Sequence, residues 1–485
     1  MIMSSTVTLA AFFFLPAGRQ PVENPWKDKV SGAIERASRS GTRQAFLEAL
    51  QTAWRADDWE AGLSLAQRAC EKFPEAPELR AAAARAFWRA GRLAEAEELA
   101  ATLPPDTADP IAIRIHLTVH LARGETEQAQ RHAEQLDRLK PRTAENLYYL
   151  IAARSALGQL GGLSALIREA QALCDPANGY PELFIRDQLQ GVAEFLDAVG
   201  SEPLNQVTTF GSAAMPVVPL INLPGCDAVI NGRGPYRLIV DTGGSITLSL
   251  DESIAAELGL KSVATSAIHG VGGREESGQV LVDELRIGPI TCRRVMTRTF
   301  AVRQAVAFSA DGILGTGLFA DARMRLDFEK GILTIEPAGD RAGPGVPGEL
   351  RIVGDGKLVV PVILAGQPAT ALLDTGADAC ALSPARLRQL FPGRQIRSLP
   401  AFTLGVGNEL RPGLSLSPGV DLELAGRKYS NYAGIGLEIL DYLLSPLLGV
   451  QIDVLMGMPV MRDMKSLTID CPSAKVWIEW LDAQR

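Results

Sequence analysis

The sequence predicts a multidomain chain: an N-terminal all-α region of helical repeats, then two all-β lobes that build one site about a pseudo-two-fold axis. Three observations predict it. Turn-forming residues recur at positions 57, 91, 124 and 158, in steps of 34, 33 and 34 residues. After residue 200 the helix formers give way to short β-branched segments broken by Gly and Pro. That second part then repeats itself around two copies of Asp-Thr-Gly, at 241–243 and 374–376.

The helical region comes first. Residues 40–200 are rich in Ala, Leu, Glu, Gln and Arg, all good helix formers. Each unit has a turn residue (Asp57, Gly91, Gly124, Gly158). Five residues later comes a packing position (Gly62, Ala96, Ala129, Leu163), and a Pro closes the unit (Pro74, Pro104, Pro141, Pro176). A turn residue ends the first helix, a small side chain lets the second approach closely, and Pro stops it. The pattern resembles the tetratricopeptide repeat over three to four units, although the fourth has Leu at the small position and the third lacks an aromatic in its second helix. The resemblance implies a concave surface for a protein partner. Trp54, Trp59 and Trp88 are expected in the core of this region.

The totals narrow the function classes. A 485-residue chain with 47% hydrophobic and 21% charged residues is an ordinary globular one. A net charge of −8, with no basic run, argues against nucleic acid as a partner. No stretch reaches the roughly 20 apolar residues of a transmembrane span. The segment "TVTLAAFFFLPAG" (Thr6 to Gly18) has the length and apolarity of a signal-peptide core, although no Lys or Arg precedes it. Residues 1–30 are therefore expected to be a signal peptide or a disordered N-terminus, and the protein to be exported to a periplasmic or extracellular compartment. The six cysteines fall two by two (Cys70 and Cys174, Cys226 and Cys292, Cys380 and Cys471), too widely spaced to resemble a zinc site. With four histidines and no close His/Cys/acid cluster along the chain, neither a metal nor another cofactor is expected.

A polar, Pro-rich stretch around 200–219 reads as a linker, and "EPAGDRAGPGVPGE" (Glu336 to Glu349) divides the β region in two. The expected domains are thus 40–200, 215–338 and 349–485. The two β halves align. "INGRGPYRLIVDTGGS" matches "ILAGQPATALLDTGAD", with Pro235 and Pro368 each six residues before the acid. About 30 residues on, both carry Gly-Val-Gly, and later both carry two apolar residues and a Gly, at Gly315 and Gly457. One stray Asp-Thr-Gly arises about one time in ten in a chain of this length. Two copies with matching flanks are far rarer.

These halves resemble retropepsin-like aspartic protease lobes, joined as in the pepsin-like arrangement, over about residues 221–482. The resemblance implies that Asp241 and Asp374 are the catalytic pair. It makes Thr242, Gly243, Thr375 and Gly376 the loops that support them, with Gly243, Gly376 and Asp378 meeting substrate backbone. Gly270, Val271 and Gly272, and likewise Gly405, Val406 and Gly407, become flap tips, and Gly315 and Gly457 pack behind the loops. Two departures stand out: the acids are only 133 residues apart, and neither flap carries a Tyr.

The chemistry fits the residue types. Two facing carboxylates share one proton, so one serves as base toward water and the other as acid toward the amide. The predicted function is therefore an aspartic endopeptidase with a polypeptide substrate, the lobes pairing within one chain and the helical repeats recruiting protein. An inactive peptide-binding scaffold and a repeat-mediated adaptor are the alternatives. Gly244 and Ala377 stand where a hydroxyl would favour the ionised pair, so a mildly acidic optimum is expected. His269, beside the first flap glycine, reads as an exposed loop residue.

Overall fold

The computed structural model describes residues 24–482 except 245–246, 271–272, 307–308, 340, 355, 394–395, 404–410, 417–418 and 433. Most of the stretch read as an export signal lies outside the described residues, whereas a 3-10 turn, Lys27–Lys29, already leads into the first helix. No described helix is long and apolar enough to cross a membrane.

Eleven helices fill the N-terminal region among the described residues: α1 (Val30–Ser40), α2 (Arg43–Ala56), α3 (Trp59–Lys72), α4 (Pro77–Arg89), α5 (Leu93–Ala101), α6 (Pro110–Ala122), α7 (Thr126–Arg138), α8 (Ala144–Ala156), α9 (Leu163–Leu173), α10 (Glu182–Gln188) and α11 (Val192–Val199). The repeat is visible in the backbone. Asp57, Gly91, Gly124 and Gly158 all take positive φ, between 54° and 74°, at the turn inside successive helix pairs. Ala96 and Ala129 are fully buried there, as small residues at a close helix crossing should be. Leu163 fits the same position because the turn before it is longer and ends on a second left-handed glycine, Gly162. Side chains of Thr42, Asp58, Asp109 and Thr143 cap helix N-termini by accepting backbone N–H bonds. Trp54, Trp59 and Trp88 are buried.

The β region forms three sheets among the described residues. In the first lobe, strand Arg233–Asp241 lies between antiparallel Leu223–Ile230 and parallel Gly312–Gly315. In the second, Gln367–Leu373 lies between antiparallel Lys357–Leu364 and parallel Val454–Met456. Each acid thus ends or follows a central strand with a parallel neighbour, and Gly315 stands opposite Asp241 in register. The third, six-stranded sheet joins the lobes: hairpin strand Ala322–Asp327 pairs antiparallel with Met464–Asp470, Arg323 opposite Asp470. These two side chains form a buried ion pair across the seam, Nη2 to Oδ2 2.7 Å.

Neither expected linker is a free tether. Within the first, Gln206–Thr209 pairs with Ile290–Phe300, Gly211–Ala214 with Ile332–Pro337, and Val217–Val218 with Leu223–Ile230. Within the second, Val346–Glu349 pairs with Lys475–Trp480. The Pro and Gly content suggested turns, but open sheet edges carry unpaired N–H and C=O groups that these segments satisfy.

The helical array also shares a core with the second lobe. Ala53, Leu79, Ala83 and Val119 belong to one buried cluster with Val359, Leu372, Val450, Ile452 and Leu455. The Gln451 N–H donates to the Arg89 carbonyl at 2.8 Å, and Arg351 forms a largely buried ion pair with Glu97.

Candidate active site

The two Asp-Thr-Gly loops meet across the lobe boundary and bond each other reciprocally. The Thr242 N–H donates to Thr375 Oγ1 at 3.0 Å, and the Thr375 N–H donates to Thr242 Oγ1 at 2.9 Å. Each hydroxyl in turn donates to the strand feeding the opposite loop: Thr242 Oγ1 to the Leu373 carbonyl at 3.0 Å, Thr375 Oγ1 to the Val240 carbonyl at 2.7 Å. Both threonines are fully buried, so these four bonds are shielded from competing water.

The glycines then decide how close the acids come. A Cβ on Gly376 would lie 2.5 Å from Asp241 Cγ, and one on Gly243 would overlap the Asp374 carboxyl. Each glycine therefore leaves room for the carboxyl of the other half. Within each loop a backbone N–H holds its own acid: Gly244 N–H to Asp241 Oδ1 and Gly376 N–H to Asp374 Oδ1, both 2.9 Å. The Asp374 N–H donates to the Met456 carbonyl on the parallel strand.

Burial, the neighbouring Asp241 charge and a hydrogen bond shared with Asp241 push the Asp374 carboxyl well above the usual carboxylate range, while Lys357 and the Gly376 N–H pull the other way. Two like carboxyls this close disfavour ionising together.

Gly457 abuts the second loop: its N–H donates to Cys380 Sγ, and a Cβ there would sit 2.7 Å from the Ala377 carbonyl. In the first lobe, Gly315 donates to the Thr247 carbonyl and Thr316 to the Gly244 carbonyl. Asp378 is exposed at the end of its loop. All six cysteines are free thiols, with Cys380 just behind the second loop.

Gly270 ends the strand Ala264–Gly270, which forms a long hairpin with Gly273–Ile287. Val271 and Gly272 lie outside the described residues, as do Gly405, Val406 and Gly407, which fall between the paired strands Ile396–Thr403 and Arg411–Leu416. His269 is not an exposed loop residue. Its Nε2 pairs with Asp187 Oδ2 at 2.9 Å, and Arg274 on the facing strand pairs with Asp187 Oδ1 at 2.9 Å. The last turn of α10 thus grips the first hairpin near its tip.

Two features went unread in the sequence. Lys357 donates from Nζ to the Gly243 carbonyl of the opposite lobe and is a cation close enough to Asp374 to favour its charged form. Strand register puts Leu223 at the equivalent place in the first lobe, so the internal repeat gave no signal for it. The expectation of no close histidine cluster also fails: His116, His120 and His132 come together between α6 and α7, because His116 and His120 are one turn apart on one helix face.

Comparison with known proteins adds the following. Residues 226–318 match the aspartyl protease family, and residues 53–115 match the tetratricopeptide repeat. Among solved structures, the chain is similar to a retropepsin-like aspartic protease from Rickettsia conorii, at 17% identity over 27% of this chain and 95% of that one, with a TM-score of 0.19. No curated protein matches. A segment similar to the tetratricopeptide repeat and a segment similar to the aspartyl protease family thus stand in order in this one chain.

Proposed function

We propose that the chain is an aspartic endopeptidase in which Asp241 and Asp374 share one proton and activate a water between them. The observation that carries this reading is the reciprocal threonine brace, which sets each carboxyl against the glycine of the opposite loop. In the shared-proton state the ionised carboxyl takes a proton from water as it attacks the peptide carbonyl, and the protonated one gives its proton to the departing amide nitrogen. Gly243, Gly376 and Asp378 would meet the substrate backbone. Gly315 and Gly457 hold the loops from behind. The hairpin of Ala264–Gly270 and Gly273–Ile287 would close over an extended polypeptide. The helical array would bring a protein partner to this site. The apolar segment at residues 6–18 supports export as the route to its compartment.

Digestion of a peptide library by the wild-type chain, Asp241→Asn and Asp374→Asn tests the reading. Wild type should cleave within about pH 3–8, and each variant should lose about 10²–10⁴-fold in rate. Cleavage by either variant at the wild-type rate would remove the shared-pair mechanism. A wild type that binds peptides and cleaves none would leave a scaffold.

A further inference from the structure

We propose that His116, His120 and His132 form a binding site for one divalent transition-metal ion of the zinc class, with three imidazole ligands and one coordination position open.

Three of the four histidines in the chain gather here. One ring nitrogen from each lies within 4.8 Å of the others. Three imidazoles sharing an ion at a metal–nitrogen distance of about 2.0–2.1 Å have ring centres roughly 5–5.5 Å apart. The separations here are 4.7, 5.2 and 6.1 Å. The ring planes are within 8° of parallel, so capture requires rotation about χ2, a broad and soft torsion for His.

The hydrogen bonds around the rings point the same way. His120 Nδ1 bonds Glu125 Oε2 at 2.5 Å, and His132 Nδ1 bonds Gln135 Oε1 at 2.9 Å. Both partners are oxygen acceptors, so Nδ1 of His120 and of His132 carries the proton and Nε2 carries the lone pair. Imidazoles that ligate metals are held in this way, with the second nitrogen donating to a carboxylate or carbonyl. The outer partners are themselves fixed. Gln135 Nε2 donates to the Pro105 carbonyl at 3.0 Å, and Arg123 holds Glu125 at 2.8 Å.

The inner side lacks a donor. His116 is 6% exposed, and its Nε2 is buried without any hydrogen-bond partner. A cation between the rings would satisfy that atom and its neighbours' lone pairs together. The all-nitrogen donor set selects zinc, copper, nickel or cobalt(II) over the oxygen-seeking magnesium and calcium. His120, with a fifth of its side chain exposed, is the point of entry.

The test uses the untagged full-length chain, stripped with EDTA and exchanged into metal-free buffer. Calorimetric titration with Zn²⁺ should give one equivalent of binding that millimolar Mg²⁺ does not displace, and Co²⁺ should give visible bands of low-symmetry nitrogen coordination. The double variant His116→Asn/His132→Asn should weaken binding by more than about 100-fold. Glu125→Ala, which touches only the outer shell, should weaken it about 10–100-fold. Absence of one-equivalent binding overturns the site, as does wild-type affinity in the double variant. If the double variant does not fold, unchanged affinity in Glu125→Ala is the result that counts against it. None of these readouts involves peptide cleavage, so the site stands or falls apart from the protease reading.

Discussion

Gly243 has no side chain because the space is taken by the carboxyl of Asp374. Gly243→Ala is therefore expected to force the two acids apart while leaving the fold intact. Peptide cleavage should fall by about 10²-fold or more, the scale at which misplaced catalytic groups cost rate, with an unchanged far-UV spectrum. Lys357 acts on the same pair through charge. Its ammonium favours the ionised Asp374, so removing it raises that pKa further. In Lys357→Met the pair holds its proton to higher pH, and the whole pH–rate profile should move upward; a downward shift or none would rule the lysine out as a modulator. The Asp-Thr-Gly loops were legible because each is a contiguous motif repeated with its flanks. Lys357 was not, because its bond crosses between lobes and Leu223 stands at its pseudo-symmetric place.

At the scale of elements, α10 and the first hairpin are tied through one carboxylate. Burial alone would raise Asp187, but bonds from His269 and Arg274 outweigh it and bring it down to about 2. A carboxylate whose folded pKa is depressed supports the fold above its unfolded value near 4 and loses that support as pH falls through the folded value. The tether should therefore hold at mildly acidic pH and release only between about pH 4 and 2. Hydrogen exchange in strands 264–270 and 273–287 should stay slow down to pH 4.5 in the wild type, and should be faster at every pH in Asp187→Asn. Equal exchange in the two proteins would show that the tether restrains nothing. Helix periodicity and turn residues made α2 to α9 readable, whereas the tether joins residues 87 positions apart and leaves no local pattern. The histidine cluster was half legible, since the spacing of His116 and His120 marks one helix face, while His132 arrives on the next helix.

At the scale of the molecule, the array and the second lobe share a core that neither could cover alone. A chain lacking residues 1–200 would expose Val359, Leu372, Val450, Ile452 and Leu455 on one face. At about 1.5–3 kcal/mol for each such side chain, their re-exposure exceeds what a marginally stable domain tolerates. The truncated protein should bind a hydrophobic dye and melt at a lower temperature than the full chain; equal melting temperatures would make the array a separable module. This union was illegible from composition, which changes sharply at residue 200 and so suggested independent parts. The same interdependence governs the loops at the centre. Neither Asp-Thr-Gly loop can satisfy its own buried groups, since each depends on the hydroxyl and the N–H of the other. The arrangement works as an and-gate. A molecule with one lobe folded leaves the hydroxyl and the N–H of its loop without their partners, so the site assembles whole or not at all.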